Sequence, residues 1–428
     1  MILPVVEKSQ PDWSWLPPPS AALEVSVVMP VRNEARRIRA SLRSLAAQCR
    51  SDGTPFDRRR YEVIVLANNC NDGSAEAARR FAASQPQLAL HVVEVCFPVE
   101  CAHVGHARAC LMDEACRRLK RTSGGAGVIA STDGDTRAAP DWLTATLAEV
   151  DGGADAVGGR VVSKAQAGDP PGLRRLVRRD DTYQRLRVRL EDLLDPDPAD
   201  PWPRHHQHFG ASLALRCDAY EQVGGCPPEP YLEDEALYRA LRRHDLKVRH
   251  SEQVTVVTSG RRHGRVAVGL SQQLREWATL ASGDKADPWV PDPHPWARAI
   301  GLRSELRRLW LTRAARRDGR NYRADLNAET DAGAPERERL AQLVEHLDIA
   351  PGWLLKRWDE SPGFGVFWSG IEAAASSANA AGEPGNMPMQ QAIAKLRWLI
   401  AHHGNRGTTG LSVSSRTDRV DTSRAANR

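Results

Sequence analysis

The first third of the chain carries a rhythm that few folds accommodate. Four short apolar runs recur: "VSVVM" (25–29), "EVIVL" (62–66), "LHVVEV" (90–95) and "GVIAST" (127–132). Their near-continuous, β-branched character suits strands covered on both faces, as in a parallel sheet. Helical patterns separate them. Ile38, Leu42 and Leu45 share one helical face, Asp72 or Ser74 can cap a helix running to Phe81, and a third helix fits 105–119. Strand and helix in alternation predict an α/β class: a Rossmann-like, mostly parallel sheet flanked by helices. Such sheets bind ligands at the carboxyl ends of their strands. That places 30–34, 68–72 and 133–135 along one rim.

The rest of the chain divides by composition. Residues 1–22 form an N-terminal extension, 23–282 the α/β domain, and 283–297 a linker in which four prolines forbid regular structure. A smaller α-helical C-terminal domain is expected over 298–403, with Trp310, Trp353, Trp358, Trp368 and Trp398 filling its core. Residues 404–428, rich in Ser, Thr, Arg and Gly, are expected to be disordered. A hydrophobic fraction of 41% and charged fraction of 26% are those of a soluble globular chain. No apolar run is long enough to span a bilayer, and the N-terminus lacks a signal-peptide pattern, so a cytoplasmic protein is expected. The eight cysteines contain no C-x-x-C pair, which argues against structural zinc. The net charge of +5 tolerates anionic ligands such as nucleotide diphosphates without indicating nucleic acid.

The polar residues at the rim each have two readings. Asp133 and Asp135 are two apart in an extended segment, so their carboxylates point the same way. Together they can meet one hard cation and a ligand hydroxyl. Asp195 and Asp197 repeat that spacing in a proline loop, so only the place at a strand end distinguishes the first pair. Glu34 either contacts a base or ribose or, like Asn33, caps the next helix. Asn68 and Asn69 either read a nucleobase edge or serve an ordinary turn. Arg108, in a helix opened by Gly105, either meets a phosphate or is an exposed helical arginine. Glu233, Asp234 and Glu235 start a helix, as a dipole arrangement or with one of them as general base. Arg261, Arg262, His263 and Arg265 either clamp a diphosphate or form a solvated basic loop. The histidines at 205, 206 and 208 read as surface polar residues before a metal site.

In order, "VSVVMPVRNE", "VIVLANNCNDGS", "GHARA", "STDGDTRAAPDWL", "GASLALRCDAYEQVGG" and "EDEALYRAL" resemble family 2 glycosyltransferases of the GT-A fold, over about residues 25–241. The resemblance implies that Asp135 and Asp133 hold a divalent cation, Mg²⁺ or Mn²⁺, with Asp133 toward the ribose or sugar. It implies nucleoside contact at Glu34, beside Pro30, base contact at Asn69, and a catalytic base at Asp234. Arg108, Arg261 and Arg262 are further candidate donor contacts. The family's usual Asp-Asp-Gly-Ser appears here as "NNCNDGS", and its Q-x-x-R-W motif only as "QQLREW" (272–277). His263 stands near the place of a third metal ligand in some members.

The expected function is metal-dependent, inverting, non-processive transfer of a sugar from a nucleotide-diphosphate sugar to an acceptor hydroxyl. A nucleotidyltransferase and a non-catalytic sugar-nucleotide-binding module are the alternatives. The first normally needs a Gly- and Lys-containing loop after its first strand, which "PVRNEARR" lacks. The arginine-rich helix at 173–194 either packs its leucines on the protein or makes a peripheral contact with the inner membrane face.

Overall fold

The computed structural model describes residues 9–262, 264, 268–282, 287–317, 336–344, 349–378 and 385–404. Elements of the first part are β1 (Val25–Val31), α1 (Ile38–Ala46), β2 (Tyr61–Asn68), α2 (Ser74–Ala83), β3 (Leu90–Val95), α3 (Val104–Leu119), β4 (Val128–Ser131) and β5 (Arg137–Ala138). Next come α4 (Trp142–Asp151), β6 (Ala156–Lys164), α5 (Pro171–Leu194), β7 (Leu213–Arg216), α6 (Cys217–Gln222), α7 (Glu233–Arg243), β8 (Val248–Ser259) and α8 (Leu270–Ser282). The last are β9 (Trp289–Pro291), α9 (Pro293–Arg317), α10 (Glu336–Val344), α11 (Pro351–Glu360), α12 (Phe364–Ala378), β10 (Asn386–Pro388) and α13 (Met389–Gly404).

The main sheet has the order β3-β2-β1-β4-β7-β6-β8-β5. β3, β2, β1 and β4 are mutually parallel, as their buried apolar sequences require. β7 then enters antiparallel to both β4 and β6, β8 runs parallel to β6, and β5 closes the edge antiparallel to β8. This is the mixed α/β architecture expected of a GT-A domain. Alternation along each strand builds two cores. Val27, Met29, Val63 and Val65 pack with Leu42, Leu45, Phe81 and Trp142 on one face. Val28, Ile64 and Leu66 pack with Leu111, Met112, Leu119 and Leu241 on the other.

Helices α5 and α8 do not pack within the α/β part alone. Leu173, Leu176, Tyr183 and Leu190 of α5 and Trp277 of α8 share a third core with Ala297 of α9 and Met389, Ile393 and Leu396 of α13. The boundary at 283–297 is therefore visible along the chain but not in the packing. That segment also holds regular structure, since β9 pairs with β10 and α9 starts at Pro293. Pro293 and Pro295 fall in the first helical turn, where a missing N–H costs nothing. A fourth core of Leu306, Leu340, Leu354, Trp358 and Phe367 joins the helices α9 to α12. Trp358 is buried and Trp310 and Trp368 pack partly against it, whereas Trp353 and Trp398 are exposed, against expectation. Their helices bury a narrower face, so both indoles fall on the solvent side. No described helix is long and apolar enough to cross a membrane. The expected disorder beyond Gly404 concerns residues outside those described.

Candidate active site

The loops after β1, β2 and β4 meet on the rim, and their side chains lock one another in place. Asp72 accepts from the backbone N–H of Ala35 at 3.0 Å and of Ser74 at 3.0 Å, while the Ser74 hydroxyl accepts from the Glu34 N–H at 2.6 Å. The loop carrying Glu34 is thus pinned to the loop after β2. Glu34 is 4% exposed. Its backbone carbonyl starts α1, and its side chain receives Arg261 and lies 3.6 Å from Arg37. Gly134 fits between the two aspartates because a Cβ there would lie 2.9 Å from Val31 Cγ2 and 3.3 Å from Glu34 Cγ. From α1, the Ser41 hydroxyl donates to the Gly134 carbonyl at 3.0 Å. Ser41 lacks any motif; only its place on the buried face of α1 marked it.

Asp133 and Asp135 occupy different environments. The Asp133 side chain is 35% exposed and that of Asp135 9%. Burial pushes the Asp135 carboxyl up to about 6; Arg261 at 3.4 Å opposes the rise, and the charges of Asp133 and Glu34 add to it. A buried carboxylate crowded by two others is a setting that favours a bound cation. Among the described residues no cluster of three or more protein ligands is present. Two carboxylates nonetheless fit Mg²⁺ or Mn²⁺, which commonly take one or two protein oxygens and complete their shell with water and substrate phosphate.

Arg108 lies in the middle of the site but does not face outward. It is 3% exposed and extends from α3 beneath the rim. Nη2 donates to Asp133 Oδ1 at 2.9 Å, Nε to Glu233 Oε1 at 2.9 Å, and Nη1 to the Gly210 carbonyl at 2.9 Å and to the Ser131 hydroxyl. Gly210 is glycine because a Cβ would strike the guanidinium. Burial alone would weaken the charge of Arg108, but Asp133 and Glu233 outweigh it and hold the proton more firmly than usual. Both readings made from sequence are thereby replaced. The guanidinium is buried and committed to protein partners, so it positions Asp133 and α7 instead of meeting a phosphate.

The three acids opening α7 take three separate partners. Glu233 is buried on Arg108, and burial raises its carboxyl despite that partner. Asp234 accepts from the Gly210 N–H at 2.7 Å and the Glu235 N–H at 2.8 Å. Glu235 accepts from His208 and from Arg239, each at 2.7 Å, which holds it down at about 2, the His208 bond contributing most. Gly210 therefore touches Arg108 through its carbonyl and Asp234 through its N–H. Leu232, just before α7, has φ of 57° and is exposed, a strained setting for a branched side chain.

Other expected residues lie elsewhere. Asn69, at φ 49°, exchanges two hydrogen bonds with the Phe97 backbone, Nδ2 to O at 2.8 Å and N to Oδ1 at 3.1 Å. Its amide closes the end of β3 and is not left to read a base. Pro30 is buried inside β1, in register with Leu66, not on the rim. Arg261 joins Glu34 and Asp135, while Arg262 turns away to Asp169 at 3.6 Å. His263 and Arg265 lie outside the described residues. His205 is buried and bonded to the Ser251 carbonyl at 3.0 Å, and His208 stacks on Tyr238 with centroids 3.9 Å apart, so these are not surface histidines.

A strand-end acid pair, an arginine-bridged acid from the first loop, and a third acid at a helix start thus gather on one rim of the α/β sheet. Residues 26–201 match the model of Glycosyl transferase family 2. The segment includes Glu34, Asp133 and Asp135 and ends before Asp234. Glycosyltransferase AglE of Haloferax volcanii is 30% identical over 138 residues, which cover 32% of this chain and 39% of AglE. The chain thus spans about two fifths of the length of that curated relative. Mannosyltransferase PcManGT from Pyrobaculum calidifontis, solved with GDP-Man and Mn²⁺, overlays at a TM-score of 0.41 with 18% identity, covering 94% of this chain and 87% of that one. The S. aureus TarS fragment 1-349, solved with UDP-GlcNAc, gives 0.39 with 15% identity and 89% coverage of each chain.

Proposed function

We propose that this protein transfers a sugar from a nucleotide-diphosphate sugar to an acceptor hydroxyl, with inversion and one sugar at a time, using a divalent cation. The observation that carries the reading is the Asp135 side chain, 9% exposed, beside Asp133 and Glu34 in the loop that follows β4. Asp135 and Asp133 would hold Mg²⁺ or Mn²⁺, which supplies Lewis-acid neutralisation of the leaving diphosphate. Glu34 would contact the nucleoside, and Arg261 is the candidate diphosphate contact. Arg108 orients Asp133 and, through Gly210 and Glu233, the start of α7.

Asp234 is the candidate base. Two backbone N–H groups fix its carboxylate, and each oxygen keeps a lone pair for a proton. It takes the proton of the acceptor hydroxyl as that oxygen bonds to the anomeric carbon. The anomeric carbon–oxygen bond to the diphosphate breaks on the opposite face, which inverts the centre. Calorimetric titration of nucleotide diphosphates with Mn²⁺ and with EDTA tests the reading. Affinity that needs the cation, and that Asp135→Ala abolishes, is expected; equal affinity in both buffers overturns the metal role.

A further inference from the structure

A concavity lies away from the rim. It has a volume of ≈ 550 Å³ and is lined among others by Arg39, Arg43, Gln48, Arg58, Phe81 and Gln85. Helix α1 separates it from the acid pair. Ser41 turns to Gly134 on the buried face of α1, while Arg39 and Arg43, one turn apart, are exposed on another face. The cavity is therefore distinct from the donor site.

Its charge is unbalanced. Among the described residues no carboxylate pairs with Arg39, Arg43 or Arg58, and no residue lining the cavity is acidic. Arg58 donates to the Ala46 carbonyl at 3.2 Å and the Gln85 side chain at 3.5 Å. The C-terminal ends of α1 and α2 also face the cavity, through Ala46 and Ser84. Helix C-termini attract arginines, so compensation of those ends is the simplest account of the cluster. It is insufficient in magnitude. Two helix ends contribute roughly −0.5 charge each, against three guanidinium charges, leaving about +2. The floor is the buried Phe56 and Phe81, and the volume is that of a small-molecule site.

We infer that this arginine-lined cavity is a second anion site that takes a phosphate ester, with Arg39 and Arg43 as its principal contacts. Guanidinium forks match phosphate oxygens in pairs, and the glutamine amides can serve ester or hydroxyl oxygens. The ester can come from a soluble phosphorylated molecule or from the headgroup of an anionic lipid.

Inorganic pyrophosphate, titrated calorimetrically into the full-length protein in EDTA and low salt, tests the site. Wild type should bind. Arg39→Gln/Arg43→Gln should bind roughly tenfold more weakly or worse, as loss of charge-assisted bonds implies. Arg79→Gln, altered on the exposed face of α2 where it pairs with Glu94, should bind as wild type. Arg39→Lys/Arg43→Lys keeps the charge and controls for folding; it should retain most of the affinity. Flotation with phosphatidylglycerol vesicles separates the sources. Vesicle binding that pyrophosphate displaces and the Gln variant lacks assigns the headgroup, and pyrophosphate binding without vesicle binding assigns a soluble ester. Unchanged pyrophosphate affinity in the Arg39→Gln/Arg43→Gln variant, an equal loss in Arg79→Gln, or binding of neither probe overturns the inference.

Discussion

Nη2 of Arg108 lies 2.9 Å from Oδ1 of Asp133, across 25 residues of sequence and beneath the rim of the sheet. The same guanidinium holds Glu233 at 2.9 Å, so one buried side chain from α3 ties the acid pair after β4 to the acids that open α7.

Removing that tie should unfold more than it disarms. Arg108→Met leaves Glu233 buried without its cation, and breaking a buried ion pair costs about 3–5 kcal/mol. Thermal melting should fall steeply. The double variant Arg108→Met/Glu233→Met should recover part of the loss, because the buried carboxylate is then gone and Asp133, 35% exposed, stays solvated. Equal melting of the two variants contradicts the coupling.

Asp135 should destabilise the fold at neutral pH. Burial pushes its carboxyl up to about 6 from an ordinary 3.8, so the folded protein keeps the proton longer than the unfolded chain. Its contribution is then greatest below the ordinary value and is lost as pH rises through 6. A gap of two units corresponds to about 3 kcal/mol at most. Asp135→Asn should melt above wild type at about pH 7.5, and the difference should close toward about pH 4. A difference independent of pH argues against a proton held by this group.

Asp234→Asn keeps both backbone N–H contacts within reach while removing basicity. Donor affinity should change little, and transfer should drop by roughly 10²-fold or more. Product formation measured beside calorimetric donor affinity separates the roles. Near wild-type transfer removes Asp234 as base; collapse of donor binding assigns it to the donor site.

Asn69→Ala should cost stability without altering donor choice. It deletes two bonds to Phe97 and places alanine at φ 49°, together about 1–3 kcal/mol. Urea unfolding should show the loss, while the relative affinities for uridine and guanosine diphosphates stay as in wild type. A changed ratio returns Asn69 to base recognition.

The legible parts of this protein were those written locally. β-branched runs and helical spacing placed β1 to β4 and α3 within a few residues, because burial on both faces of a parallel sheet leaves a short-range pattern. Asn69 stood between base contact and turn, because an amide after a strand looks alike whether it faces a ligand or the next strand; the fold bonds it to Phe97. The third core was invisible for a related reason: α5, α8 and α13 each show an apolar face, but no periodicity names the partner.

The two Asp-x-Asp pairs show where that limit falls. Sequence alone put Asp133 and Asp135 at a strand end and Asp195 and Asp197 in a proline loop, and so ranked them. Tertiary structure decided their chemistry. Both oxygens of Asp195 are taken by Arg303 and Arg307, 108 and 112 residues away, and Asp197 pairs with Arg242. Those carboxylates are neutralised in place and bind helices together. Asp133 shares Arg108 with Glu233 and keeps an exposed side, while Asp135 sets Arg261, at 3.4 Å, against burial and the charges of Asp133 and Glu34. Electrostatic fate depends on which charges arrive from distant segments, and only the folded chain brings them together.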